Sequence, residues 1–241
     1  MERLTASPNI INTFGHCGTS LTVEPIAYEV EELIVPKGYM KQEDLMDKED
    51  VKPQNDYTVA EKLEMALSMS ESLAALHGFE GGIIVHDDVQ LCQWLRTRDG
   101  KLILGDFNRA EIMEWNRHKG EYCRYNNGYA YGNYRSPEEF DAADLNEKID
   151  IFSLGNNFYA LLTGLWPFYE NEDDGVVQKW LVAGNTSFVD DRYRSRSLGE
   201  RSLVEIIEKC WKYDPQSRPD IFTVVGMVRR ALELEATAAK A

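Results

Sequence analysis

Two acidic positions in this chain have the residue types and the order that phosphoryl transfer requires. Asp88 lies in the stretch 86–93 (His-Asp-Asp-Val-Gln-Leu-Cys-Gln), and Asp106 is followed by Phe107 and Asn108. One carboxylate can orient an attacking hydroxyl while a second holds Mg²⁺ on a bound nucleotide. The pattern therefore predicts a phosphotransfer site built on these two carboxylates.

The segments around the two carboxylates predict helices and short strands that would hold them. Thr58 and Glu61 form a capping-box pattern before an apolar stripe that runs to His77, which predicts a helix packed into the core. The apolar stretch from Ile149 to Leu162 predicts a second helix that is buried on all sides. The predicted strand pieces are 83–85, 94–96 and 101–104, with a turn at 99–100.

A carboxylate also lies at the start of the second predicted helix. Asp150 would enter the core there, where a charged group must be paired or hydrogen-bonded, so we expect it to accept backbone N–H groups from a nearby loop. A last helix is predicted around Pro219, which suits a first helical turn. The inner face of that helix is predicted to be Ile221, Val224, Val225 and Val228.

The first 56 residues predict a small sheet followed by a connector. Apolar stretches at 9–17 and 20–24 flank Gly18, which predicts two strands joined by a turn. Residues 28–56 are rich in Glu, Asp and Lys and show no sustained periodicity, so we expect an exposed connector. Its acidic run 43–50 is interpreted as solvated surface rather than as a metal site.

The composition of the chain favours some classes of binding partner and some cellular compartments over others. The chain has 241 residues, of which 43% are hydrophobic, and a net charge of -15, which argues against nucleic-acid and anionic-membrane binding and favours basic or neutral protein partners. Its four cysteines are scattered without a Cys-x-x-Cys pair, which favours a reducing compartment. With no signal core and no apolar run of about 20 residues, we expect an intracellular protein, cytoplasmic or nuclear.

These motifs together resemble a eukaryotic protein kinase, nearest the tyrosine-kinase-like group, over residues 9–234. The stretch 86–93 resembles the family's His-Arg-Asp-x-Lys-x-x-Asn loop, 106–108 resembles Asp-Phe-Gly, and 210–219 resembles the signature near the last helices. Small-molecule phosphotransferases of the aminoglycoside or choline type share a His-x-Asp loop, but they lack the set formed by 136–138 (Ser-Pro-Glu), Asp150 and Arg218.

The resemblance implies an α+β fold that is predominantly helical, namely a kinase C-terminal lobe with a small β remnant of the N-terminal lobe. The implied organisation is a partial N-lobe and hinge (1–27), an acidic connector (28–56), the C-lobe (57–235) and a tail (236–241). Nothing before Asn9 supplies a Gly-rich phosphate loop or the strand Lys with its helix Glu partner. Binding of ATP and magnesium is therefore expected to be weak or absent.

The resemblance also implies roles for the residues of the site. Asp88 would orient the substrate hydroxyl, and Asp106 would bind magnesium. Gln90 stands at the catalytic position of a Lys that stabilises the transferred phosphoryl group, and losing one such donor costs roughly 100- to 1,000-fold in rate. Gln93 replaces the second magnesium ligand with an amide on a longer arm, and Glu24 falls in the nucleotide-binding hinge.

Other positions are expected to be structural. His86 would pack inward and hold the loop, and Glu138 would form a buried ion pair with Arg218. Asp87 replaces an Arg that pairs with a phosphorylated activation segment in many kinases, so a phosphate there would meet a like charge. Asn108 replaces a Gly, which Asn tolerates because it visits left-handed backbone angles.

The tyrosines of the expected activation segment have two readings. They could be phosphorylation targets, but Tyr134 belongs to a packing corner before 136–138, and packing is the expected role for it. The residues concerned are Tyr122, Tyr125, Tyr129, Tyr131 and Tyr134.

Three functional hypotheses follow from the altered site. The first is a pseudokinase-like interaction or regulatory module with impaired phosphotransfer. The second is an active ATP- and magnesium-dependent kinase acting on Ser/Thr or Tyr hydroxyls, because Asp88 and Asp106 are retained. The third is that the chain is the C-terminal fragment of a longer kinase.

Overall fold

The computed structural model describes residues 4, 7–18, 20–37, 51–128, 131–141 and 143–240. The helices are α1 (Glu31–Ile34), α2 (Val59–His77), α3 (Lys148–Thr163), α4 (Asp174–Val182), α5 (Tyr193–Arg196), α6 (Leu198–Cys210) and α7 (Ile221–Ala238). The strands are β1 (Thr13–Cys17), β2 (Ser20–Val23), β3 (Ile26–Glu29), β4 (Ile83–Val85), β5 (Trp94–Thr97), β6 (Leu102–Leu104), β7 (Glu111–Met113), β8 (Trp115–Asn116) and β9 (Glu121–Tyr122). Short 3₁₀ turns lie at Leu91–Gln93, Pro137–Phe140 and Pro215–Ser217.

Helix α3 lies at the centre of a helical core. All of its residues from Ile149 to Thr163 are buried, and it packs against α2 and α6. Thr58 is the N-cap of helix α2. Its hydroxyl accepts the Glu61 N–H at 3.3 Å, while the Glu61 carboxylate accepts the Thr58 N–H at 2.8 Å. Both predicted helices and the capping box are confirmed, since the apolar faces are buried against each other rather than in water.

Four small antiparallel sheets surround the helices in the described residues. They are the pairs β1–β2, β4–β7 and β8–β9 and the three-stranded sheet β3–β5–β6. Ile10 forms a parallel bridge to Leu104 at the end of β6, and the Ile11 N–H donates to the Leu104 carbonyl at 3.0 Å. The predicted first strand therefore begins only at Thr13, because the residues before it pair with β6 instead. The predominantly helical α+β fold is confirmed.

The segment predicted as an exposed connector is only partly exposed. Residues 26–29 form β3 against β5. Val30, just before α1, and Ile34, the last residue of α1, are buried. Asn55 is also buried, and its side-chain amide donates to the carbonyls of Ile34 and Leu161, each at 3.1 Å. The prediction of full exposure was wrong because a single helical turn is too short to show periodicity. The acidic run 43–50 lies outside the described residues. The division of the chain into an N-lobe part, a connector, a C-lobe and a tail stays a prediction.

The last helix begins later than the sequence pattern indicated. Its N-cap is Asp220, whose carboxylate accepts the Thr223 N–H at 2.7 Å, so Pro219 precedes the first turn and does not lie within it. The Asp side chain satisfies an otherwise unpaired N–H at the start of the helix, which fixes this boundary. The predicted inner face is buried. Within the described part of the chain, no helix combines the length and the apolar character that crossing a membrane requires.

Candidate active site

Asp150 fixes the loop that carries Asp88. It is buried at the start of α3, and its two carboxylate oxygens accept the backbone N–H groups of His86 at 2.8 Å and Asp87 at 3.0 Å. The His77 ring nitrogen Nε2 lies 2.9 Å from Asp150 Oδ2. The carboxylate therefore meets the hydrogen-bonding need of a buried charge and holds the start of the 86–93 loop on the central helix, as the sequence led us to expect.

His86 links this loop to the one that carries Asp106. Its side chain is buried, and Nε2 lies 2.8 Å from the Gly105 carbonyl oxygen. The ring also makes an edge contact with Phe107, with ring centroids 5.0 Å apart. These contacts agree with a structural role and place the two acidic motifs next to each other.

Asp88 is enclosed by three nitrogen donors. Its Oδ1 accepts from Gln90 Nε2 at 3.0 Å and from Arg135 Nη2 at 2.5 Å, while its Oδ2 accepts from Gln93 Nε2 at 2.8 Å. Only 11% of the Asp88 side chain is exposed. Three of the roughly four acceptor sites of the carboxylate are therefore in use. The charge-assisted bond from Arg135 is the strongest kind among them.

Gln90 and Gln93 therefore do something that the sequence did not reveal. Both were assigned by resemblance to phosphate or metal contacts, but both direct their amide N–H groups at Asp88. A Lys at position 90 would bring a positive charge, whereas the amide brings only a neutral donor. Their roles toward phosphate and metal stay predictions.

Asp106, in contrast to Asp88, is open to solvent. Its side chain is exposed, and its Oδ1 lies 3.4 Å from the Asn108 N–H that donates to it. The left-handed backbone angle in this motif falls at Asp106, with φ of 47°, and not at Asn108. The tolerance of such angles that makes Asn an acceptable replacement for Gly is therefore not used at Asn108.

The donor set fits a magnesium ion only in part. Within the residues described, no group of three or more His, Cys, Asp and Glu side chains comes together as a metal site. Mg²⁺ is commonly held by one or two carboxylates together with the phosphates of a substrate. Asp106 could supply one such carboxylate, while Asp88 is engaged by Arg135 and Gln93 is bonded to Asp88.

Glu24 has a local partner of its own. Its Oε1 accepts the Asn12 N–H at 2.7 Å, and its own N–H donates to the Asn12 carbonyl at 3.1 Å. These bonds close the base of the β1–β2 hairpin. The Glu24 carboxylate thus stabilises the base of this hairpin. The assignment of Glu24 to a nucleotide-binding hinge stays a prediction.

Glu138 and Arg218 form the expected ion pair. Arg218 Nη1 and Nη2 donate to the two carboxylate oxygens of Glu138 at 2.5 and 2.8 Å, and the Arg218 side chain is fully buried. The guanidinium also donates to backbone carbonyls and lies 4.9 Å from the centre of the Phe152 ring. This pair ties the turn after Ser136 to the base of the helical core.

Tyr134 packs in the corner between these two regions, which was its expected role. It is buried, and its ring makes an edge contact with Trp166 at 5.8 Å between centroids. Tyr131 is exposed, and Tyr129 lies outside the described residues.

Arg135 is the residue of this site that sequence reasoning missed. Its side chain is only 9% exposed, and besides Asp88 it contacts Glu139 Oε1 at 3.2 Å and the Asp87 carbonyl at 2.5 Å. Burial raises the pKa of Glu139 to about 7, and the Arg135 charge opposes that rise. The signal was present, because an arginine inside a predicted packing corner needs an acidic partner.

Comparison with known proteins identifies the family of this chain. The sequence profile of the protein kinase domain matches residues 1–228. The chain belongs to the protein kinase domain family. The Asp150 anchor, the buried His86 and the Glu138–Arg218 pair lie at the positions that the resemblance in the sequence had indicated.

Curated relatives are kinases at low identity. The chain is 26% identical over 225 residues to serine/threonine-protein kinase 12 of Arabidopsis thaliana, covering 93% of this chain and 45% of the relative. It is 27% identical over 177 residues to dual specificity protein kinase shkE of Dictyostelium discoideum, covering 71% and 23%. It is 26% identical over 178 residues to mitogen-activated protein kinase kinase kinase 7 of Drosophila melanogaster, covering 73% and 24%. The chain thus spans less than half the length of these relatives.

Proposed function

We propose that this protein kinase domain has impaired phosphotransfer and works as an interaction or regulatory module. The observation that carries the proposal is the enclosure of Asp88 by Arg135, Gln90 and Gln93. A carboxylate that already accepts three N–H groups has about one acceptor site left for a substrate hydroxyl. The neutral amide at position 90 also removes a charge that would stabilise the transferred phosphoryl group.

The proposal extends to partners and compartment. A net charge of -15 supports association with basic or neutral protein surfaces and disfavours nucleic acids and anionic membranes. A reducing intracellular location, cytoplasmic or nuclear, is in keeping with four free cysteines. Nucleotide binding is proposed to be weak, because Gln93, the second expected metal ligand, is bonded to Asp88, which leaves Asp106 as the open one of the two.

One observation favours a second candidate, an active ATP- and magnesium-dependent kinase that phosphorylates Ser/Thr or Tyr hydroxyls. Asp106 is exposed, and Asp88 lies on a loop held by Asp150. Displacement of Arg135 by a substrate would leave both carboxylates in place. The third candidate, a C-terminal fragment of a longer kinase, is addressed by intact-mass analysis of the native protein.

A phosphotransfer assay separates the first two candidates. Purified protein is incubated with radiolabelled ATP, Mg²⁺ or Mn²⁺ and casein, together with the variants Asp88→Asn and Asp106→Asn. Asp191→Asn is the matched control, since this side chain is 93% exposed and lies outside the site. We expect the wild-type protein to transfer no more phosphate to casein than Asp88→Asn does. Metal-dependent transfer that is lost in both site variants and kept in Asp191→Asn would establish the second candidate instead.

A further inference from the structure

Asp87 lies where three parts of the chain meet. It is 2% exposed, and its Oδ2 accepts from Asn127 Nδ2 at 2.5 Å and from Arg109 Nη2 at 3.4 Å. Its backbone carbonyl accepts from Arg109 Nε at 3.2 Å and from Arg135 Nη1 at 2.5 Å. Asp87 thus accepts hydrogen bonds from Arg109, Asn127 and Arg135, which lie 22, 40 and 48 positions further along the chain.

These contacts close a loop of chain at its base. Asn127 Nδ2 also donates to the Arg109 carbonyl at 3.0 Å, so the two ends of the segment 109–127 meet each other on Asp87. We call residues 109–127 the anchored segment. Its interior includes the mostly exposed β8–β9 hairpin, with Trp115 and Tyr122 in edge contact at 5.0 Å between ring centroids.

The signs of the charges in this cluster are reversed relative to the pattern that the sequence resembles. In many protein kinases, an arginine at the position of Asp87 pairs with a phosphate on the activation segment. Here, the loop carries the carboxylate, and the segment carries the guanidinium of Arg109 and the amide of Asn127. A buried carboxylate needs such partners in any case, and they are supplied from within the chain.

We propose that Asp87 is a positioning residue that anchors segment 109–127 to the catalytic loop without phosphorylation. The anchor needs no phosphate because both partners are unmodified side chains of the folded chain. It also supports Arg135, which lies 3.5 Å from Asp87 Oδ1 while it bonds Asp88. The anchor goes beyond the proposed function, and its effect on Arg135 is the only part that rests on the enclosure of Asp88.

Two other contacts also hold this part of the chain, and the experiment must separate them from Asp87. Strand β7 pairs with β4, and Tyr125 exchanges backbone hydrogen bonds with Leu145 at 2.8 and 3.2 Å. Neither contact joins the segment to the 86–93 loop. We therefore expect loss of the anchor to loosen the base of the segment while β7 keeps its pairing.

The substitution Asp87→Asn tests the anchor with the least change in shape. Asn tolerates the left-handed backbone at this position, where φ is 60°. Its amide would direct an NH₂ group either at Arg135 or at Arg109 and Asn127, so a donor faces a donor in both orientations. The measurement is amide hydrogen exchange by mass spectrometry.

The amides to follow are those of Ala110 and Gly128 at the base of the segment. In the wild type they donate to the Phe107 carbonyl at 3.2 Å and to Asn126 Oδ1 at 3.0 Å. We expect at least about tenfold faster exchange there in Asp87→Asn, with unchanged exchange in α3, because a charge-assisted contact is lost locally. Unchanged exchange at the base in folded Asp87→Asn would overturn the proposal.

A second pair of variants leaves the buried loop untouched. Arg109→Gln removes a donor to Asp87, and Arg117→Gln changes an exposed arginine of the same segment. We expect faster exchange at the base in the first variant and wild-type exchange in the second. Equal exchange in both would refute the anchor even if Asp87→Asn fails to fold.

A separate experiment measures the accessibility of the Asp88 carboxylate. Carboxylates are labelled with a carbodiimide, and the labelled residues are located by mass spectrometry. We expect Asp88 to be labelled at least about tenfold faster in Asp87→Asn than in the wild type, with exposed Asp106 as the internal reference. Faster exchange at the base together with rapid Asp88 labelling in the wild type would support the anchor and contradict the enclosure on which the proposed function depends.

Discussion

Arg218 and Arg135 are both buried arginines that bond carboxylates, but their partners differ. Arg218 forms a two-pronged pair with Glu138, whose role in the resembling family is structural. Arg135 is divided among Asp88, Glu139 and the Asp87 carbonyl, and Asp88 is the residue on which chemistry would depend. The comparison teaches that one kind of contact can stabilise the frame of a kinase domain in one place and, in another, occupy the carboxylate whose catalytic role is proposed.

The largest effect is expected from removing Arg218. Arg218→Met leaves the Glu138 carboxylate without its partner, although only 14% of the Glu138 side chain is exposed, so the free energy of unfolding should fall by about 3–5 kcal/mol. Urea unfolding followed by circular dichroism measures this change. The double variant Arg218→Met, Glu138→Met should recover part of the loss; a double variant no better than the single one would mean that packing, and not the unpaired charge, dominates.

A buried cation without a carboxylate bond sharpens the comparison. Lys62 is 1% exposed and donates to the Leu162 carbonyl at 2.9 Å, and burial lowers its pKa to about 8. Between pH 8 and 10.5 the unfolded chain keeps a proton on Lys62 that the folded chain has released, so stability rises with pH across this window.

The test compares wild type with Lys62→Met. Relative to Lys62→Met, the wild type should gain stability as the pH rises from 8 to 10.5, by on the order of 3 kcal/mol over the whole window. Urea unfolding at a series of pH values provides the measurement. A difference between the two proteins that does not change with pH would show that Lys62 titrates normally.

Removing Arg135 should cost less stability than removing Arg218. Asp88 keeps its two glutamine donors, and Glu139 keeps the N–H and hydroxyl of Ser136 at 2.6 and 2.7 Å. We expect Arg135→Met to lower the free energy of unfolding by about 2 kcal/mol. Urea unfolding measures it, and a loss equal to that of Arg218→Met would remove the distinction drawn between the two arginines.

The smallest effect is expected at Gln93. Gln93→Asn restores the residue type of the resembling family but shortens the arm that reaches Asp88, so about 1 kcal/mol of stability should be lost with one hydrogen bond. Phosphotransfer should stay at the level of Asp88→Asn while Arg135 is present. A gain in transfer in Gln93→Asn alone would show that the amide, and not the arginine, limits the site.

Much of the frame could be predicted from local patterns. The capping box at Thr58 and the apolar run from Ile149 to Leu162 predicted α2 and α3, because helix signals lie within a few turns of chain. The short α1 and the burial of Asn55 could not be predicted in this way. Their stability comes from contacts with residues distant in sequence, such as the bond from Asn55 to Leu161.

The sequence by itself determined the family, the helical frame and the positions of Asp88 and Asp106, because motif order and hydrophobic periodicity are written along the chain. Only the tertiary structure decided what surrounds the two carboxylates. Arg135 is 47 residues from Asp88, and Asn127 is 40 residues from Asp87. Which buried charge meets which partner depends on how the folded segments come together, and that arrangement encloses Asp88 while it leaves Asp106 open.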